Sequence, residues 1–374
     1  MTLLLISLKN GSDKVWHINF GEMKLRRGLT HLLVPVVVSF IVALGVVYYF
    51  SSNTTSAGPI SGKLEKIVVG PSESPIPTPF PFQELTIPYL RDREYKSELG
   101  PRTKYSENAS YTAYLTSYNS DGLKVNGLLT VPKGQGPFPA VVFVHGYIAP
   151  TIYKTTEKYN DYVDYLARNG LVVFKIDLRG HGNSEGDPGG GYYSGDYVID
   201  TLNARAALSG ADFVDPERIG LWGHSMAGNV VFRALVAKNV TAAVIWAGAV
   251  YTYEDMSEFR ISDNSYRPPA EDSPVRKKRE ELNSTYGSFD PESSFWQQVV
   301  PTNYLEGVSG AIQVHHAVDD TVVDVGYSRN LMSILDNSQI GHELYEYTSG
   351  GHNITGSRFT LAMQRTVEFF KSNL

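Results

Sequence analysis

The chain has 374 residues, enough for one large domain or two modest ones. It carries 33 Lys and Arg against 39 Asp and Glu, a net charge of −6. No long basic run lies outside the N-terminal region, so no nucleic acid partner is expected. It has no cysteine, which removes disulfides, thiolate metal sites and a thiol nucleophile together.

The first marked stretch is Leu32 to Phe50, which contains no charged residue. An apolar run of about 20 residues is long enough to span a bilayer as a helix. Pro35 falls in its first turn, where a missing N–H costs little. Tyr48 and Tyr49 fall at an interfacial position, and Lys24, Arg26 and Arg27 precede the run. The positive-inside rule then predicts a cytoplasmic segment over 1–31, a transmembrane helix over 32–50 and an extracytoplasmic remainder. A cleaved signal peptide would have a shorter apolar core, about 7–15 residues. Residues 51–84 are dominated by Ser, Thr, Gly and Pro, with Pro75, Pro77, Pro79 and Pro81 alternating. Such a stretch predicts an extended spacer, a linker between the membrane and the C-terminal part of the chain.

Residues 85–374 read as one domain. Tyr111–Tyr118 and Leu123–Val131 alternate with period two about Ser120-Asp121-Gly122, which predicts a hairpin. Pro139–Val144 is an apolar strand that ends in His145-Gly146-Tyr147. Tyr153–Arg168 reads as a helix, Leu171–Ile176 as a buried strand and Asp196–Leu208 as a helix. Ile219–Trp222 is again a short apolar strand; Ser225 follows, and Asn229–Ala237 has helical spacing. Further strands are expected at Ala242–Trp246, Ala311–His315 and Leu344–Tyr347, with helices at Val325–Leu335 and Thr360–Phe370. Apolar strands alternating with helices mean an α/β fold with a mostly parallel sheet. Residues 251–300 interrupt the alternation. Phe259, Tyr266, Tyr286, Phe289, Phe295 and Trp296 give this interval apolar surface to bury. It is read as a helical lid over the C-terminal edge of the sheet.

Gly223-His224-Ser225-Met226-Ala227-Gly228 sits between a strand and a helix. That is the context of the G-x-S-x-G nucleophile elbow, with Ala227 in place of the second glycine. A serine hydroxyl needs a base, and the base needs a carboxylate to orient it. Four histidines follow Ser225: His315, His316, His342 and His352. His352 closes Ser349-Gly350-Gly351-His352 just after a strand, so a glycine loop can present it at the sheet edge. His342 precedes that strand and belongs to the opposite edge. His315 and His316 come before any candidate acid, and neighbours on a strand point to opposite faces, which disfavours a metal pair. The acid is expected after the strand ending at His315, where Asp319 and Asp320 are adjacent and Asp324 is a third choice. Spacing does not separate Asp319 from Asp320. The residue after the nucleophile supplies one oxyanion donor, the Met226 N–H.

Taken together, residues from about 111 to 374 resemble the α/β-hydrolase superfamily. The resemblance is particularly to catalytic domains of the prolyl oligopeptidase and dienelactone hydrolase-like groups. The resemblance is carried by the Ser-Asp-Gly hairpin and by Phe138-Pro139 leading into His145-Gly146. Asp177-Leu178-Arg179-Gly180-His181-Gly182, Asp215-Pro216-Glu217-Arg218-Ile219-Gly220 and Gly350-Gly351-His352 add to it. The family's acid motif, H-G-x-x-D-x-x-V-P, lays its D on Asp319 and its V on Val322, with His316 and Val323 departing from it. The resemblance therefore implies a triad of Ser225, Asp319 and His352, a second oxyanion donor at the Tyr147 N–H, and a structural role for His181. It implies acyl transfer to water from a small ester or peptide, through an acyl-serine and without metal or cofactor. Only about 60 residues separate the predicted anchor from the first strand, too few for a propeller. No pair of acids for an aminopeptidase is evident. The resulting expectation is a membrane-anchored serine hydrolase. An envelope acyltransferase and an inactive tethered binding protein are the alternatives.

Overall fold

The computed structural model describes residues 79–374, together with a two-residue antiparallel pairing of Leu8–Lys9 with Val15–Trp16. The predicted anchor Leu32–Phe50 and most of the predicted linker lie outside the described residues. Among the described residues no helix is long and apolar enough to cross a membrane.

Nine strands form one sheet. In chain order they are β1 (Thr103–Glu107), β2 (Tyr111–Ser120), β3 (Leu123–Pro132), β4 (Phe138–Val144) and β5 (Val172–Ile176). They continue as β6 (Val214–His224), β7 (Ala242–Trp246), β8 (Ala311–Ala317) and β9 (Gly341–Tyr347). Across the sheet the order is β9-β8-β7-β6-β4-β5-β3-β2-β1. β1, β2 and β3 pair antiparallel, β3 meets β5 antiparallel, and every pairing from β5 to β9 is parallel. β1 was not expected from sequence. All five of its residues are exposed, so it carries no apolar signal.

The central strands are buried on both faces, which is why they read as continuous apolar runs. Along β4, Ala140, Val142 and Val144 enter one core, while Val141 and Phe143 enter the other. The first core is closed by α3 (Asp196–Ser209), α4 (Met226–Lys238) and α8 (Gly326–Leu335), through Leu202, Val231 and Leu331. The second is closed by α2 (Asn160–Arg168) and α9 (Ser357–Asn373), through Leu166, Met363 and Phe370. Parallel strands bring their C-terminal ends to one edge, so the loops after β4, β6, β8 and β9 meet there.

Two boundaries differ from the expectation. The helix predicted from Tyr153 begins only at Asn160, because Lys158 and Tyr159 are left-handed, with φ of 61° and 56°. The linker expected to run to residue 84 is already docked at its end. Phe80 and Phe82 pack on the aromatic cluster of the lid, the Tyr286 hydroxyl donates to the Pro81 carbonyl at 2.9 Å, and Glu84 pairs with Lys278 at 3.0 Å. Buried Arg233 donates to the Leu85 and Ser194 carbonyls and ties this segment, just ahead of α1 (Ile87–Asp92), to α4.

The 251–300 interval contains three helices, α5 (Asp255–Glu258), α6 (Pro274–Tyr286) and α7 (Ser294–Val299), joined by loops. Leu282, Phe295, Trp296 and Tyr253 form its own buried cluster. Ser262 N–H donates to the Val322 carbonyl at 2.7 Å, and Asp324 N–H to the Arg260 carbonyl at 3.1 Å. The lid is thereby paired to the loop after β8.

Candidate active site

Ser225 stands between β6 and α4 with φ 55° and ψ −121°. A positive φ on a non-glycine residue costs about 1–3 kcal/mol and persists only where the surroundings enforce it. Here the Ser225 N–H donates to the Trp246 carbonyl at 2.9 Å, and its own carbonyl accepts the Gly228 N–H at 2.8 Å. Gly223 is required by contact: a Cβ there would lie 2.6 Å from the Ala227 carbonyl oxygen. Ala227 itself is fully buried, so the departure from the motif is accommodated.

His352 lies in a short 3-10 turn after β9, entered through Gly350 (φ 134°) and Gly351 (φ 59°). It lines the same cavity as Ser225, about 640 Å³ in volume. No hydrogen bond joins Ser225 Oγ to the imidazole among the described residues. His352 Nδ1 is 2.8 Å from Asp320 Oδ2.

This corrects the register read from the family motif. Asp319 does not reach His352; its carboxylate accepts the Gly351 N–H at 2.8 Å and the Gly350 N–H at 3.2 Å. Asp319 is exposed, whereas the Asp320 carboxylate is fully buried. The cause is a local cap. Asp320 Oδ1 accepts the N–H groups of Val322 and Val323 at 2.8 and 3.0 Å, which leaves Oδ2 to meet the histidine. Burial alone would raise the Asp320 pKa. Hydrogen bonds from His316 and His352, with the Val323 N–H, outweigh it and hold the carboxyl well below its ordinary range. Asp320 is therefore ionised at neutral pH. Asp324, the third choice, caps Gly326 N–H at 2.8 Å.

The other histidines are structural. His315 meets Tyr347 and Gln313 on the α9 side, at 2.9 and 2.7 Å. His316 faces α8, accepting from Ser328 Oγ at 2.7 Å, and its Nε2 also lies 3.3 Å from Asp320 Oδ2. The two rings do face opposite sides of the sheet. His342 is at the start of β9, bonded to Asp336 at 3.1 Å. His181 is buried among Tyr153, His145 and Tyr197. Among the described residues no group of three or more His, Asp or Glu is placed to hold a metal ion.

Two contributors escaped the sequence reading. His224 Nε2 donates to the His352 carbonyl at 2.9 Å, and its Nδ1 accepts from the Tyr159 hydroxyl at 2.7 Å. The Tyr159 oxygen accepts the Gly146 N–H at 3.0 Å. Burial, with repulsion from His352, pushes the His224 pKa down to about 3, so the ring is a neutral bridge. Its place in the elbow motif was the available signal; Tyr159 had none.

Tyr147 and Met226 both border a second cavity that opens at Ser225 under the lid. Met226 is the first residue of α4, whose leading N–H groups have no partner within the helix. The Tyr147 ring holds the lid: its hydroxyl accepts the Arg267 N–H at 3.0 Å, and it lies 5.3 Å from the Tyr266 ring.

A mostly parallel sheet, a serine on a strained elbow and an Asp–His pair on neighbouring strand ends define a protein of α/β-hydrolase type. The fold is that of the α/β-hydrolases, and the chain is similar to serine hydrolases of that type. The family model for serine aminopeptidase S33 matches residues 135–270. Thiohydrolase aneE of Aspergillus aculeatus is 33% identical over 134 residues, which cover 35% of this chain and 39% of that protein. Esterase FrsA of Shigella boydii serotype 18 is 30% identical over 203 residues, 54% of this chain and 38% of that protein. The chain thus spans under half the length of these relatives. Acetyl xylan esterase 1 from a Thermoanaerobacterium species shares the fold, with TM-score 0.53 at 20% identity, covering 78% of this chain and 95% of that one.

Proposed function

We propose that the protein hydrolyses carboxylic esters or thioesters through an acyl-Ser225 intermediate. The observation that carries this is the buried Asp320 carboxylate 2.8 Å from His352 Nδ1, in a loop beside the strained Ser225 elbow. Asp320 holds the imidazole with Nδ1 protonated, leaving Nε2 free to accept the serine proton. The serine oxygen attacks the acyl carbon, and the oxyanion receives the Met226 and Tyr147 N–H groups. His352 returns the proton to the leaving oxygen or sulfur, and water repeats the sequence to free the acid. Esterase and thiohydrolase relatives support the ester reading. A peptidase of the S33 kind would need acids free to face a substrate amine; of the two in the lid cavity, Asp263 is bonded to Ser265 and Asp187 is exposed, and Arg267 and Arg279 line the same wall.

Labelling with a fluorophosphonate, compared between wild type and Ser225→Ala, tests the nucleophile. A panel of nitrophenyl esters, thioesters and aminoacyl nitroanilides tests the class. Turnover of the nitroanilides alone would make the protein a peptidase. The charge-free run Leu32–Phe50 and its basic flank support a single-span anchor, with the hydrolase unit outside the cytoplasm. Release of the full chain from membranes by alkaline carbonate would refute that placement.

A further inference from the structure

Two cavities meet at Ser225. The first is lined by His352, His224, Tyr159 and Phe359. The second, about 660 Å³, lies beneath the lid and is lined by Met226, Tyr192, Tyr193, Tyr266, Val275 and Arg279 among others. His352 borders only the first. A leaving group takes its proton from the imidazole, so it departs on that side. The acyl group then occupies the second cavity, whose walls are largely aromatic and aliphatic.

Arg279 is the unusual member of that wall. It projects from α6, its guanidinium carbon 5.6 Å from the centre of the Tyr193 ring and its Nη1 3.3 Å from the Tyr266 hydroxyl. Its Nε is buried and has no hydrogen-bond partner. Among the described residues no carboxylate pairs with it. The neighbouring acids are engaged elsewhere: Asp196 and Asp200 pair with Arg179 at 3.2 and 2.7 Å, and Glu84 with Lys278. Of the two acids that line the cavity, Asp263 accepts from the Ser265 N–H and hydroxyl, and Asp187 is exposed. Gly190, with φ 85°, lets the backbone pass close; a Cβ there would lie 3.1 Å from Nη2. A guanidinium offers five donors in a fork that matches a carboxylate, and a buried N–H without an acceptor is costly.

We propose that the lid cavity is an acyl subsite for apolar chains that end in a carboxylate, with Arg279 as the counter-charge. This rests on the Ser225 hydrolase reading and adds its substrate class: monoesters or monothioesters of longer dicarboxylic acids.

The test uses nitrophenyl esters in matched pairs, one ending in methyl and one in carboxylate, at several chain lengths. For the best length, the carboxylate-to-methyl ratio of kcat/KM should fall about tenfold or more in Arg279→Met, the scale of a charge-assisted hydrogen bond. Arg279→Lys should retain part of it. Product inhibition of the wild type, which needs no variant, should be stronger by dicarboxylic acids than by monocarboxylic acids of equal length. Equal ratios in wild type and Arg279→Met, with both ester series turned over, would overturn the acyl subsite and leave the hydrolase standing. Absence of turnover together with absence of fluorophosphonate labelling would overturn the hydrolase reading and this proposal with it.

Discussion

The two sides of Ser225 differ in how far their polar groups are satisfied. On the sheet side, Asp320, His316, His224 and Tyr159 are hydrogen-bonded to one another or to fixed backbone. On the lid side, Arg279 has a buried nitrogen with no acceptor, and Met256, Ile261 and Tyr266 are exposed around the opening. On the function proposed above, the difference separates two tasks. Groups that stabilise developing charge must be in position before the reaction, because reorganising them would consume the gain. Groups that recognise a substrate are completed by the substrate itself.

The largest expected effects test the sheet side. Ser225→Ala should reduce ester turnover by roughly six orders of magnitude and abolish fluorophosphonate labelling, since triad members act as a unit. The elbow tolerates the smaller side chain, so the melting temperature should hold. Retained labelling would remove Ser225 as nucleophile. Next comes the adjacent acid pair. Asp320→Asn should cost about four orders of magnitude in kcat, because the wrong histidine tautomer is then stabilised. Asp319→Asn weakens two hydrogen bonds to a glycine turn, each worth about 1 kcal/mol, and should cost about tenfold. A deader Asp319 variant would restore the family register and refute the geometry described here.

Legibility followed the same division. The central strands were visible as apolar runs because both faces of the sheet are covered, and His352 because the other late histidines fell on the wrong edge or too early. Asp319 and Asp320 defeated the motif, since what separates them is a cap: the N–H groups of Val322 and Val323 turn Asp320 inward. No spacing rule contains that information. Tyr159 sits before its helix on a left-handed residue, where periodicity says nothing about direction. Arg279 lies in Arg276-Lys277-Lys278-Arg279-Glu280-Glu281, which reads as a solvated helix face. Only the folded lid shows which of these charges turns to the cavity. Phe80 and Phe82 were hidden by the prolines around them.

A smaller effect is expected at the bridge between the Gly146 loop and the His352 loop. Tyr159→Phe removes the oxygen that accepts the Gly146 N–H and donates to His224 Nδ1. His224 then loses the partner that sets its tautomer, and with it the ordered donation to the His352 carbonyl. Their hydrogen bonds run to the Gly146 N–H and the His352 carbonyl and not to Ser225, so both are expected to act as positioning residues. The expected result is a fall of several-fold in kcat with KM little changed, and a lower melting temperature. A change confined to the melting temperature would make the bridge purely structural.

The last prediction concerns acid stability. Burial, the largest cause in each case, pushes His145, His224 and His315 down to about 3 in the folded protein. Unfolded, each titrates near 6.5. Their stabilisation is therefore complete above about pH 6.5 and is lost as pH falls toward 3, because the unfolded chain takes up the protons first. Asp177 acts in the opposite sense. Burial pushes its pKa up to about 6, so the folded state binds a proton first as pH falls below that value. Each buried imidazole should steepen the loss of unfolding free energy by about 1.4 kcal/mol per pH unit, and Asp177 should offset about one of them. His315 is the one to test, since it sits on the α9 side of the sheet, bonded to Tyr347 and Gln313 rather than to the triad. Urea unfolding of His315→Gln between about pH 6 and pH 4 should show a slope shallower than wild type by one proton. A constant offset from wild type at every pH would mean that this imidazole is not held neutral in the folded state.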